Sequence, residues 1–173
     1  MKIYIIRHGK TLSNEKHLYC GRSDEELTEA GAAELVARDW PPIDRVLISP
    51  AKRCRQTADI VCPGALQREL AGLWEMDFGL MEGRGWEELS GYAFYRDWLA
   101  SGCTAPIPDG ESREQFIRRT VEAFYEGLDF LRGAACPGVI AHGGTAMALG
   151  SHFMGGDYFD YSIKNGEMLQ LWL

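Results

Sequence analysis

Three short apolar runs constrain this chain more than anything else in it: Ile3-Tyr4-Ile5-Ile6, Arg45-Val46-Leu47-Ile48 and Gly138-Val139-Ile140-Ala141. Each is near-continuous instead of alternating, the pattern of a strand covered on both faces. Each also stops abruptly, at Arg7-His8-Gly9, Ser49-Pro50 and His142-Gly143-Gly144 respectively. Segments with helical periodicity lie between them. Doubly covered strands alternating with helices predict an α/β fold: a three-layer α/β/α sandwich around a mostly parallel sheet.

The helices are placed by their caps. Thr28 opens one whose apolar face is supplied by Ala32, Ala33, Leu35 and Val36, ending before Trp40-Pro41-Pro42. A second runs from about Ala51 to Val61, stopped by Pro63-Gly64. Ser112 caps the longest, with Phe116, Val121, Phe124, Leu128 and Leu131 at helical spacing, and Thr145 to Met154 forms another. Leu66 to Leu70 reads as a short strand and Leu169 to Leu173 as an edge strand. Residues 73–108 break this rhythm by mixing glycines with Trp74, Phe78, Trp86, Tyr92, Phe94, Tyr95 and Trp98. Linkers do not concentrate residues that favour burial, so this is an aromatic insertion with short helices inside a single domain, 1–173.

Composition narrows the function. Eighteen Lys and Arg against 25 Asp and Glu give a net charge of −7, a poor basis for holding a nucleic-acid backbone. No apolar run approaches the ~20 residues that cross a bilayer, and Met1 to Ile6 is too short for the core of an export signal. Five cysteines with no Cys-x-x-Cys pair read as free thiols, not as a disulfide framework or a zinc site. The expectation is a cytoplasmic protein that meets neither nucleic acid nor membrane.

The chemistry-bearing residues sit where the strands stop, which is where open α/β sheets bind ligands. Arg7 and His8 follow the first run, Arg53 lies one helical turn beyond Ser49-Pro50, and His142 follows the last run. Two arginines and two histidines in one crevice suit a phosphate monoester: guanidinium forks match phosphoryl oxygens, and helix starts add fixed N–H donors.

Arg7-His8-Gly9-Lys10-Thr11-x-x-Asn14 after an N-terminal strand resembles the signature of the histidine phosphatase superfamily, the phosphoglycerate-mutase-like proteins. The likeness continues in order through Gly21-x-x-Asp24-x-x-Leu27-Thr28-x-x-Gly31 and Ser49-Pro50-x-x-Arg53-x-x-Gln56-Thr57-Ala58. Leu73-x-Glu75-x-x-Phe78-Gly79-x-x-Glu82-Gly83, Gly110-Glu111-Ser112 and His142-Gly143-Gly144 complete it.

The resemblance implies a phosphohistidine mechanism on a small phosphorylated metabolite, with no cofactor and no metal. His8 is then the nucleophile, its attacking nitrogen kept unprotonated by a hydrogen bond on the other nitrogen and by Arg7 and Arg53. Arg7 and Arg53 grip the phosphoryl oxygens, Asn14 donates its amide, and His142 faces the phosphate opposite His8. Asn14 has a rival reading as a plain helix cap. Gly143 lets the backbone approach closely. Glu75 is the expected proton donor, kept partly protonated by Trp74, Met76 and Phe78, with Asp77 and Glu82 as rivals; Glu82 reads as a loop-fixing carboxylate. Cys20 and Gly21 fall where the family lines its substrate pocket, Cys20 most simply as a wall thiol. Arg55, His17 and His152 read as surface or structural, and Cys54 as packing.

Within the superfamily, the Thr11 and Asn14 pair together with Glu75 resembles the mutase and small-molecule phosphatase branch. Mutases carry a longer shielding insertion, so the short one here favours hydrolysis over transfer. A mutase and a non-catalytic phospholigand binder are the alternatives, and a homodimer is the candidate assembly. The aromatic insertion has two readings, an apolar wall for an organic leaving group or its own small core.

Overall fold

The computed structural model describes residues 1–173. Five strands form one sheet in the order β3-β2-β4-β1-β5: β1 Lys2–Arg7, β2 Arg45–Ile48, β3 Leu66–Glu69, β4 Pro137–Ala141 and β5 Met168–Trp172. Every pairing is parallel except that of β5 with β1, so the sheet is mostly parallel with an antiparallel edge. The sequence of helices is α1 Leu12–Glu15, α2 Glu29–Val36, α3 Lys52–Val61, α4 Trp86–Leu89, α5 Ala93–Ala100, α6 Arg113–Arg132 and α7 Gly143–Met154.

The two faces of the sheet build separate cores, which is the sandwich that continuous apolar strands predict. Ile3, Ile5, Leu47, Val139 and Leu171 point to one side, against Val121, Phe124 and Leu131 of α6 and Ala146 and Leu149 of α7. Ile6, Val46, Ile48 and Ile140 point to the other, against Leu35 of α2 and Cys54, Ala58 and Val61 of α3. Each such aliphatic side chain contributes roughly 1.5–3 kcal/mol by leaving water. α6 crosses the sheet closely because of Gly127, where a Cβ would stand 2.5 Å from the Leu47 side chain.

The predicted caps are present: the Thr28 side chain accepts from Gly31 N, and Ser112 forms a reciprocal capping box with Gln115. The face assigned to α2 is narrower than its apolar residues imply. Only Gly31 and Leu35 are buried, while Ala33 and Val36 face solvent, because Leu35 is the one side chain that α2 sends into the core. The insertion packs into a third core in which Met76, Met81, Leu89, Tyr95, Trp98 and Ile107 meet Phe116 of α6.

Candidate active site

Because β1, β2 and β4 are parallel, their C-terminal ends open on the same edge of the sheet. Register pairs Arg7 with Ala141, so the residues that follow, His8 and His142, emerge side by side with ring centroids 5.2 Å apart, edge to face. Ser49 follows β2, and its hydroxyl lies 2.8 Å from His142 Nε2. Arg53 enters from the first turn of α3.

His8 is buried, and its Nδ1–H donates to the Gly9 carbonyl at 2.6 Å. That bond fixes the tautomer and leaves Nε2 as the unprotonated nitrogen. Burial first, then the charges of Arg53 and Arg7, hold the imidazole well below the ordinary histidine range, so it is neutral at pH 7.

Arg53 is fully buried and Arg7 half-buried, and neither has a carboxylate in ion-pair contact. Arg7 Nη1 donates to Ile163 O at 2.9 Å; Arg53 donates to Ser23 O at 2.7 Å and Gly21 O at 2.9 Å. In both, the Nε–H is buried with no partner. Uncompensated buried cations are costly, and an anion that takes up the idle donors removes that cost.

Asn14 closes the first turn of α1. Its Oδ1 accepts from Thr11 N at 3.0 Å, Thr11 Oγ1 at 3.2 Å and Asn165 Nδ2 at 3.1 Å, which turns the amide NH₂ away from the backbone. The oxygen thus serves as the cap, and the nitrogen makes no hydrogen bond within the protein.

Glu75 belongs to the insertion, yet its carboxylate accepts from Gly144 N at 3.2 Å as well as Met76 N at 2.9 Å. Met76 and Phe78 flank it on the cavity wall, whereas the Trp74 ring lies elsewhere, 5.9 Å beneath the Arg22 guanidinium. Glu82 fixes the loop before α2, accepting from Gly21 N, Arg22 N and Ser23 Oγ. Asp77 Oδ1 is occupied by Gly79 N.

Some placements differ from the sequence expectation. Gly21 does not line the cavity; it is buried, with a would-be Cβ 1.9 Å from Met76 O, and its carbonyl serves Arg53. His142 Nε2 lies 2.8 Å from the Ser49 hydroxyl and its Nδ1 3.4 Å from Arg53 Nη2, so both ring nitrogens have protein partners. Gly143 does allow close approach, with Arg7 3.2 Å from a would-be Cβ, but the tighter position is Gly144, 2.2 Å from Glu75 Oε1. Cys20 lines the cavity, and burial pushes its thiol up to about 11. Arg55 pairs with Glu69 at the surface, His17 and His152 are exposed, and Cys54 is packed, its thiol pushed up to about 12 by burial. No group of three or more His, Cys, Asp and Glu side chains is placed to hold a metal ion.

A cavity of about 390 Å³ adjoins these groups, with Arg7, Asn14, Glu75 and Gly143 at one end. Its other walls are Tyr19, Phe78, Trp98, Met147, Tyr158 and Phe159. Arg113 lies over the Tyr158 and Phe159 rings at 5.2 and 5.6 Å. A second, polar basin of about 580 Å³ shares Arg7 and Asn14 and is bounded by Lys10, His17, Lys164 and Asn165. The sequence reading missed Tyr158, Phe159, Arg113 and Asn165, which stand in no motif.

The mostly parallel five-stranded sheet flanked by helices, with arginines and paired histidines at its strand ends, is a phosphoglycerate-mutase-like α/β fold. The family model of the histidine phosphatase superfamily (branch 1) matches residues 3–169, and the chain belongs to that superfamily as a phosphatase. It is 32% identical over 157 residues to the adenosylcobalamin/α-ribazole phosphatase of Salmonella typhimurium, covering 86% of this chain and 77% of that protein. Identity is also 32% over 157 residues with a Hydrogenobacter thermophilus protein named "Putative phosphoserine phosphatase 2", covering 86% and 76%. The crystal structure of the α-ribazole phosphatase from Shigella flexneri superposes with a TM-score of 0.85 at 26% identity, over 98% of this chain and 89% of that one.

Proposed function

We propose that this phosphatase hydrolyses a small phosphomonoester in the cytoplasm, α-ribazole 5′-phosphate, through a phosphohistidine on His8 and without a metal. The observation that carries the chemistry is the pair of arginines, free of carboxylates and each with a buried, idle Nε–H, beside a neutral histidine whose Nε2 is unprotonated. His8 Nε2 attacks phosphorus while the bond to the ester oxygen breaks, and Glu75 gives that oxygen its proton. The Glu75 carboxylate then takes a proton from water as the water attacks the phosphohistidine, releasing inorganic phosphate and restoring His8. Arg7, Arg53 and the Asn14 amide hold the phosphoryl oxygens, and His142 acts through Arg53.

The substrate reading draws support from the named relatives and from the aromatic walls of the 390 Å³ cavity, which suit a planar organic leaving group. Hydrolysis in preference to phosphoryl transfer is supported by the polar basin at Arg7 and Asn14, which gives water a route to the crevice. The test is phosphate release in EDTA from α-ribazole 5′-phosphate, phosphoserine, 3-phosphoglycerate, sugar phosphates and nucleotides. The reading expects kcat/KM for α-ribazole 5′-phosphate at least tenfold above every other member. A preference for phosphoserine reassigns the leaving group, and isomerisation of 3-phosphoglycerate without phosphate release reassigns the reaction.

A further inference from the structure

Asn165 lies in the turn before β5, far in sequence from every motif of the crevice. Its Nδ2 reaches Asn14 Oδ1 at 3.1 Å, the His8 carbonyl at 3.1 Å and the Gly9 carbonyl at 3.4 Å. The Gly9 carbonyl is the acceptor that fixes the His8 tautomer, and Asn14 Oδ1 is the end of the carboxamide that must stay away from the phosphate. The same turn holds Arg7 through Ile163 O, and Gly166 N donates to the Arg7 and His8 carbonyls.

We propose that Asn165 is a positioning residue, whose side-chain NH₂ sets which end of the Asn14 carboxamide faces the phosphoryl group. Three donors converge on Asn14 Oδ1, from Thr11 N, Thr11 Oγ1 and Asn165 Nδ2. A flipped Asn14 places its own NH₂ against the backbone N–H of Thr11 and the NH₂ of Asn165, donor against donor, and aims an oxygen at an anion. Removing Asn165 takes away one of these constraints and frees the carbonyl of Gly9 from a competing donor. The inference rests on the proposed function only in taking Asn14 Nδ2 as a phosphate donor, so ligand affinity reads it independently of turnover.

The experiment is calorimetric titration of the full chain with inorganic phosphate, with kcat/KM on p-nitrophenyl phosphate measured alongside. The variants are Asn14→Ala, Asn165→Ala, Asn165→Asp and the double alanine variant. Asn165→Ala is expected to weaken phosphate binding about fivefold to tenfold. Asn165→Asp, close in shape but with acceptors where donors stood, is expected to weaken it further. The double variant should bind within about twofold of Asn14→Ala, because Asn165 acts through Asn14. Asn165→Ala binding within twofold of wild type, losses that multiply in the double variant, or an Asp variant better than the Ala variant overturns the proposal. A wild type that shows this binding pattern without hydrolysing any ester upholds the coupling and removes the hydrolase reading instead.

Discussion

The Glu75 carboxylate accepts the amide N–H of Gly144 at 3.2 Å, tying the insertion directly to the first turn of α7. This closeness depends on glycine: a Cβ at position 144 would stand 2.2 Å from Glu75 Oε1 and 2.9 Å from the Phe116 ring.

Gly144→Ala should therefore displace Glu75 and lower kcat at least tenfold, with a stability loss of about 1–3 kcal/mol from overpacking. Gly143→Ala, where the nearest atoms are 3.2 Å away on the Arg7 guanidinium, should cost less in stability and raise KM more than it lowers kcat. Steady-state kinetics and thermal melts of the two variants decide the order; equal effects at both positions contradict it.

Glu75→Gln keeps an acceptor for the backbone N–H groups but cannot deliver a proton. For an alkyl phosphate, kcat should fall about 10²–10⁴-fold, and for p-nitrophenyl phosphate, whose leaving group needs no acid, only severalfold in the phosphorylation step. Single-turnover rates on both esters give the comparison. Equal losses remove Glu75 from the acid role.

Arg119 holds the backbone that carries Glu75. It donates to Gly72 O at 2.8 Å, Trp74 O at 3.0 Å and Glu75 O at 3.3 Å, and grips Glu111 with Nε and Nη2 at 2.8 and 2.7 Å. Arg119→Met leaves three carbonyls and a half-buried carboxylate short of donors, and should cost about 2–4 kcal/mol. Arg119→Lys cannot reproduce the fork and should recover less than half of that loss. Denaturant titrations test both; a Met variant within 1 kcal/mol of wild type would show the fork to be dispensable.

Much of this site is legible in the sequence because its parts are local to strand ends. Arg7-His8 and His142-Gly143 each need only a strand to stop, and parallel register then brings them together. The cavity walls are not local. Tyr158 and Phe159 arrive on the loop between α7 and β5, and Asn165 reaches His8 only because β5 turns back antiparallel beside β1. The insertion misled in a different way. Burial preference says that aromatics want cover without saying which surface supplies it: Tyr95 and Trp98 stack on each other at 5.9 Å, and Trp86 is 61% exposed. Of the insertion's aromatics, Phe78 and Trp98 reach the cavity wall.

Acid sensitivity follows from the paired histidines. Burial, then nearby positive charge, holds His8 and His142 well below the ordinary range, so the folded protein keeps both neutral where the unfolded chain protonates them. The native state binds fewer protons, so this contribution to stability is complete above about pH 6.5 and is lost as the pH falls below it. Tm should be nearly level from pH 8 to 7 and fall from pH 6.5 to 5, with a shallower fall in His8→Asn. An unchanged slope in that variant contradicts the assignment.

The central claim is that His8 carries the phosphoryl group. Rapid-quench labelling with a ³²P-labelled phosphomonoester in EDTA tests it most directly. The account predicts a protein-bound label that is stable in alkali, labile in acid, formed and consumed at rates compatible with kcat, and absent from a folded His8→Ala variant whose turnover is at least 10³-fold reduced. Undiminished turnover in His8→Ala, or an equal label on that variant, would contradict it.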